Sequence, residues 1–306
     1  MEHYKKGIIT KGVGGIYTVR DHLSGEYVSC AVRGGVKRRG HGMNPTVGDE
    51  VCYGPTGDPD IPFILEKIEP RHNLLIRPPL ANVSNMLLTF AVCDPIPDLK
   101  LLDKMLIICR LKDIKPIIIF TKADLDPKQA DKLIEIYSAC GYTCFKSSHD
   151  NKPDSRKLMA LTGKGVTGFA GPSGVGKSTL CNYILDDEAM QVGEVSERLK
   201  RGKHTTRHVE LFEFGEGFMS DTPGFTSLDL FDIGVEYDQV ALGYPEIQSL
   251  SHGCKYDDCR HINEKDCAVR EALGSGVDPD RYARYKEFYE ELYSKRNDYS
   301  GRKKYE

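Results

Sequence analysis

Residues 171–178 read Gly-Pro-Ser-Gly-Val-Gly-Lys-Ser, and each fixed type in that spacing has a use against phosphate. Glycines let backbone N–H groups wrap an anion, a lysine neutralises the terminal phosphates, and a serine hydroxyl ligates magnesium. An apolar run, 166–170, precedes the motif and a helical pattern follows it, which is the context such a loop requires. The run Gly171, Pro172, Ser173, Gly174, Val175, Gly176, Lys177, Ser178 and Thr179 is therefore expected to hold a nucleoside triphosphate. A second cluster lies near the C-terminus, where Cys254, Cys259, His261 and Cys267 supply three thiolates and one imidazole within 14 residues. That is a closed tetrahedral set for one zinc ion, with no position left for water, so its expected role is structural. His252 is close in sequence but superfluous to the set.

A phosphate loop does not choose between ATP and GTP. Thr121-Lys122-Ala123-Asp124 follows the apolar run 116–120 and resembles the Asn-Lys-x-Asp guanine motif of GTPases. Asp124 would accept from the ring N–H and exocyclic amine of guanine, a donor pair that adenine lacks. Lys122 would lay its stem along the base, and Thr121 stands in place of the commoner Asn. Ser147 and Ser148 fit the second base-contacting loop. Asp221-Thr222-Pro223-Gly224 suits a carboxylate that holds magnesium through water, with the Gly224 amide sensing the terminal phosphate. Between them Gly202-Lys203-His204-Thr205-Thr206 reads as a switch loop, in which Thr205 and Thr206 are both candidates for the magnesium ligand. The guanine motif precedes the phosphate loop, the reverse of the usual order, so the nucleotide domain is read as circularly permuted. Permutation is tolerated where surface termini can be rejoined. It also feeds the loop at Asp221 straight into the C-terminal region.

The elements that must position these residues fall into three stretches. From Gly7 to about Pro70, short apolar runs at 15–19, 26–32, 49–53 and 63–65 are separated by turn formers and predict a small OB-like barrel. Beyond a Pro-rich hinge at 77–79 the rhythm changes. Strand candidates at 86–93, 116–121, 142–145 and 166–170 alternate with helical stretches at 99–111, 127–140 and 177–185, predicting a parallel sheet covered by helices. Strand-like runs at 209–214 and 217–220 follow. The expected fold is multi-domain: an N-terminal OB-fold β-barrel (1–70), a central circularly permuted α/β P-loop GTPase domain (71–231) and a C-terminal zinc-binding, mainly helical domain (232–306). In the last, aromatic residues recur at helical spacing over 282–293. Arg281, Arg284, Lys286, Lys295 and Arg296 share that helix with Glu287, Glu290 and Glu291, which predicts a solvated amphipathic face.

A net charge of -3 over 306 residues excludes a uniformly basic nucleic-acid binder but not a local basic patch. No run approaches the roughly 20 apolar residues of a membrane span, and the N-terminus carries no apolar signal core. Seven of the ten cysteines are scattered, which suits a reducing compartment better than a disulfide framework. A soluble, cytoplasmic chain without a membrane partner, and a monomer, is the expectation.

The segments Gly-Pro-Ser-Gly-Val-Gly-Lys-Ser-Thr-Leu (171–180), Gly-Lys-His-Thr-Thr (202–206), Asp-Thr-Pro-Gly-Phe (221–225) and the cluster from Cys254 together resemble the RsgA/YjeQ family of ribosome-associated GTPases. The resemblance covers essentially the whole chain, with Thr121, Pro172 and Lys203 standing where other residues are expected. It implies an enzyme that hydrolyses GTP to GDP and phosphate, stimulated by the small ribosomal subunit during its late maturation. Arg33, Lys37, Arg38 and Arg39, in a glycine-rich loop between two barrel strands, are then the candidate rRNA contacts. Phe225 stands where many GTPases keep a water-orienting glutamine. Either His204 takes that role beside Lys177, or His204 contacts RNA. A nucleotide-switched RNA-binding adaptor with little catalysis is the rival reading, and a small-molecule P-loop kinase is a third.

Overall fold

The computed structural model describes residues 4–32, 44–59, 61–76, 79–192, 209–220 and 229–302. Five strands, β1 (Lys5–Val13), β2 (Ile16–Asp21), β3 (Tyr27–Val32), β4 (Glu50–Pro55) and β5 (Phe63–Ile68), close a barrel in the order β1-β2-β3-β5-β4, with β4 pairing back onto β1. All its pairings are antiparallel except β3 with β5. Each strand sends one side chain to the fully buried centre: Ile9, Val19, Cys30, Tyr53 and Leu65. The OB-like expectation holds, with one strand added. β1 escapes a search for alternation because Ile8, Ile9 and Thr10 are consecutively buried and the register shifts between Ile9 and Lys11.

After the barrel, β6 (Leu74–Ile76) and β7 (Pro79–Ala81) pair antiparallel; of the expected Pro-rich hinge, residues 77 and 78 lie outside the described residues and Pro79 opens β7. The chain continues through β8 (Val83–Ala91), α1 (Leu99–Leu111), β9 (Lys115–Thr121), α2 (Pro127–Ala139), β10 (Thr143–Lys146), α3 (Ser155–Thr162), β11 (Val166–Ala170), α4 (Lys177–Val192), β12 (Leu211–Phe214) and β13 (Gly217–Ser220). A 3₁₀ turn at Tyr237–Gly243 leads to α5 (Pro245–Ser251), α6 (Ala268–Glu271) and α7 (Pro279–Arg302).

The chain divides into two compact units, residues 1–87 with 153–225, and residues 88–152 with 226–306. In the first unit the barrel is joined by β8-β11-β13-β12, where β11 runs parallel to β13 and β12 antiparallel to it. That antiparallel edge departs from an all-parallel sheet because two residues, Gly215 and Glu216, connect β12 to β13, and only antiparallel strands can be joined so tightly. The barrel meets this edge through polar contacts: Lys11 Nζ lies 2.9 Å from Glu210, while Arg20 and the Tyr27 hydroxyl both bond Glu213.

In the second unit β9 lies between β10 and β8, parallel to β10, and α1 and α2 are each started by an aspartate whose side chain accepts a backbone N–H. Its core joins Ile107 and Ile108 of α1 to Val240, Tyr244, Ile247, Val269, Tyr285, Phe288 and Leu292. The recurring apolar residues of 282–292 thus face inward from α7, as their spacing predicts, while Tyr293 is exposed. The charged residues of that helix divide differently from expectation. Lys286 and Lys295 pair at i,i+4 with Glu290 and Glu291 on the outside, but Arg281 is fully buried and its neighbour Arg284 nearly so. A carboxylate on α1, Asp103, draws them in, as described below.

Candidate functional site: a phosphate loop, a base-recognition loop and a metal centre

The phosphate loop is held at both ends. Every residue of β11 before it is buried, Val175 within it is 1% exposed, and α4 begins at Lys177. Gly174 and Gly176 take φ of +76° and +91°, values that residues with side chains rarely adopt and that belong to backbones wrapping an anion with their N–H groups. Lys177 folds over the start of its own loop, Nζ donating to the carbonyls of Gly171 at 2.9 Å and Pro172 at 2.5 Å. Ser178 is exposed at the first turn of α4, and its hydroxyl has no hydrogen bond among the described residues. The Ser178 hydroxyl, whose oxygen suits a cation, is thus accessible at the first turn of a helix, where the dipole favours an anion.

In the second unit, β9 delivers Thr121 to Asp124. Thr121 is buried and its hydroxyl donates to the Phe90 carbonyl on β8, so the residue standing where Asn is commoner ties two strands together. Lys122 adopts φ of +54° and its ammonium bonds the Asp94 carbonyl. Ala123 N donates to Ser147 O at 3.1 Å and Ser147 N to Phe120 O at 2.8 Å, so the loop containing Ser147 is bonded directly to the Thr121–Asp124 loop. Ser148 closes a small turn with Asn151. The helix that follows is capped by Asp126, whose carboxylate accepts from Gln129 N at 3.0 Å. This separates the two aspartates: Asp126 does the capping, while Asp124 is exposed and makes no hydrogen bond among the described residues. An ordinary helix-capping loop would not need that second, unengaged carboxylate.

The Cys/His cluster assembles as its spacing predicts. The Sγ atoms of Cys254, Cys259 and Cys267 lie 3.5, 3.4 and 3.4 Å from His261 Nδ1, Cys254 and Cys267 are 3.9 Å apart, and all four donors fall within 4.8 Å of one another. Tetrahedral ligands at ordinary zinc bond lengths would stand about 3.8 Å (S to S) and about 3.6 Å (S to N) apart, so the separations to His261 and between Cys254 and Cys267 suit such an ion. Burial lowers the His261 pKa and so keeps the imidazole neutral, the form that ligates. Burial also pushes the Cys259 thiol up to about 12, so a thiolate there needs a cation's charge beside it. Sequence reasoning missed what shapes the loop. The Glu264 carboxylate accepts from the backbone N–H groups of Arg260, Ile262 and Asn263, and the hydroxyls of Tyr282 and Tyr285 on α7 donate to the carbonyls of His261 and Arg260. A lone Glu inside a Cys/His loop was the available signal.

Arg33, Lys37, Arg38, Arg39, His204, Thr205, Thr206, Asp221 and Gly224 lie outside the described residues. Among the described residues no helix is long and apolar enough to cross a membrane.

Known proteins are similar to this chain over most of its length. The model of the RsgA GTPase family matches residues 68–231, and that of the RsgA N-terminal domain matches residues 6–59. A protein of Ruminiclostridium cellulolyticum named small ribosomal subunit biogenesis GTPase RsgA is 38% identical over 94% of this chain and 93% of its own length. Its namesake in Geobacillus sp. is also 38% identical, over 94% of this chain and 97% of its own. Among solved structures, YloQ, described as a circularly permuted GTPase, superposes with a TM-score of 0.78 at 34% identity, over 96% of both chains. YjeQ from Thermotoga maritima gives 0.77 at 29%, over 95% of this chain and 99% of its own. With a closed barrel, a phosphate loop placed after the base motif and a C-terminal Cys/His cage, the chain belongs to the RsgA GTPase family of circularly permuted GTP hydrolases.

Proposed function

We propose that this chain hydrolyses GTP while bound to the small ribosomal subunit and assists its late maturation, with turnover stimulated by that subunit. The observation that carries the guanine assignment is the exposed, unengaged Asp124 carboxylate on a loop whose neighbours are all tied down. Thr121, Lys122, Asp124, Ser147 and Ser148 take the base, and Gly171 to Thr179 take the phosphates of GTP or GDP. Lys177 stabilises the charge that develops on the transferring phosphoryl group. Ser178, one of Thr205 and Thr206, and Asp221 through water would hold magnesium, which supplies charge neutralisation at the phosphates. Gly224 reads the terminal phosphate through its amide. His204 positions the attacking water when the chain is bound to the ribosomal surface.

Cys254, Cys259, His261 and Cys267 would hold one zinc ion, which braces the C-terminal region for docking. Arg33, Lys37, Arg38 and Arg39 contact rRNA through phosphate charge. The domains divide at about residues 70 and 231, and the protein works as a cytoplasmic monomer.

GTP turnover measured alone and with purified small or large subunits tests the reading. Stimulation confined to the small subunit is expected. Weak turnover unmoved by either subunit would replace the enzyme with an RNA-binding adaptor whose nucleotide sets conformation. For His204, ribosome-stimulated turnover that is unaltered in His204→Ala, with normal GTP affinity, would remove the catalytic role.

A further inference from the structure

Four charged side chains and three tyrosine rings are buried together in the second unit, and they connect the C-terminal helix to both base-recognition loops. Asp103, without solvent exposure, accepts from Arg281 at 2.6 Å, from Arg284 at 2.5 Å and from the Tyr137 hydroxyl at 3.0 Å. Arg281 also donates to Glu246 at 2.8 Å and to the Gly243 carbonyl at 3.1 Å, and its guanidinium lies 4.8 Å from the ring centre of Tyr137 and 4.7 Å from that of Tyr244. The Tyr142 hydroxyl donates to the same Gly243 carbonyl at 2.9 Å.

Two of these partners lead to the base motifs. Tyr137 lies on α2, the helix that leaves the Thr121–Asp124 loop, and Tyr142 precedes β10, the strand that delivers Ser147. The two loops are bonded to each other through Ala123 N and Ser147 O. A core that had only to exclude water would do as well with apolar groups, since a buried ion pair seldom outweighs well-packed hydrophobic residues. What the charges add is direction: a guanidinium with several fixed acceptors permits one placement of the elements around it.

We propose that Arg281 is a positioning residue for guanine recognition, fixing through Tyr137 and Tyr142 the placement of the loops that carry Asp124 and Ser147. The proposal rests on the assignment of those loops to the base. It makes the C-terminal helix part of the specificity apparatus, at a distance of 178 residues in sequence from the carboxylate that anchors it.

The test is competition binding of GDP and IDP to the full, metal-loaded chain, IDP lacking only the exocyclic amine. Asp124→Asn controls the underlying assignment and should abolish the preference for GDP. Tyr142→Phe, which removes one hydroxyl, and Arg281→Lys, which keeps the charge without the fork, should each narrow the GDP over IDP ratio roughly three- to tenfold. KM for GTP should rise while kcat is retained. A merely structural role would lower thermal stability and leave the ratio alone, and that result in Tyr142→Phe overturns the proposal. If Asp124→Asn itself leaves the ratio unchanged, the base assignment falls and the proposal with it. If Arg281→Lys does not fold, the Tyr142→Phe result decides.

Discussion

Replacing Gly174 with alanine separates what the phosphate loop does from what merely surrounds it. A Cβ placed there meets no atom of the described residues within 4 Å, so no clash with them contributes. The whole effect comes from φ, which is +76° and lies in the region L-residues avoid at a cost of about 1–2 kcal/mol. In the free chain an exposed loop relaxes to escape that strain. Binding phosphate restores the curled backbone and the penalty with it, so GDP should bind roughly 5- to 30-fold more weakly. Gly14 provides the control, because its φ of +61° and its open surroundings are alike but it lies in the turn between β1 and β2. Gly14→Ala should reduce barrel stability and leave nucleotide affinity alone. Titration with a fluorescent GDP analogue, paired with a thermal melt of each variant, reads both quantities. Gly174→Ala affinity within about twofold of the parent would mean that the curled backbone is not what holds the phosphates.

Cys267→Ser removes a buried ligand from the Cys/His cage, and the variant should lose its metal to a chromophoric chelator that leaves the parent loaded. Acidification should release the same metal, because protons compete for the thiolates as pH falls. Asp103→Ala removes the carboxylate that Arg281 and Arg284 share, leaving Arg281 with Glu246 and the Gly243 carbonyl, and should destabilise the second unit by about 3–5 kcal/mol in urea unfolding, whereas an effect below about 1 kcal/mol would mean that the remaining acceptors suffice. In the barrel, the Tyr53 hydroxyl and then the Ser24 and Leu23 amides hold the Asp21 carboxyl at about 2, below its ordinary 3.8. A depressed folded value contributes stability above the unfolded value and loses it on acidification, so the barrel should lose roughly 2 kcal/mol between about pH 4 and pH 2. Asp21→Asn should flatten that part of the urea-midpoint profile.

The parts of the site that were legible in the sequence are those whose chemistry closes within a few residues. The phosphate loop needs its glycines at positions 174 and 176 because of backbone angles set inside the loop, and β11 lies where its apolar run does. The cage is formed by four ligands within 14 residues, so spacing alone identified it. Less legible were elements whose identity depends on remote partners. β1 has no alternation to read, since Gly7 to Thr10 are buried in succession and its register with β2 shifts between Ile9 and Lys11. The α3 helix is short and half exposed, and only the Asp154 cap, accepting from Arg156 and Lys157 N–H, marks its start.

The buried charges show where the missing information lay. Asp103 sits in Leu-Leu-Asp-Lys-Met-Leu-Ile-Ile-Cys, a carboxylate on a helix face whose neighbours at 102, 105, 106 and 109 are all buried. A charge on such a face cannot remain unpaired, so the sequence already requires a cation from elsewhere. The cation was hidden by its own surroundings. Lys286 and Lys295 have glutamates four residues away and pair with them, which makes the whole of α7 look self-compensated. Arg281 has Tyr285 at i+4 and so falls outside that ladder. A helix cation with no carboxylate four residues away on either side, as Arg281 lies between Val277 and Tyr285, and a helix carboxylate on an apolar face answer each other, and that complementarity links α7 to α1 in the sequence itself.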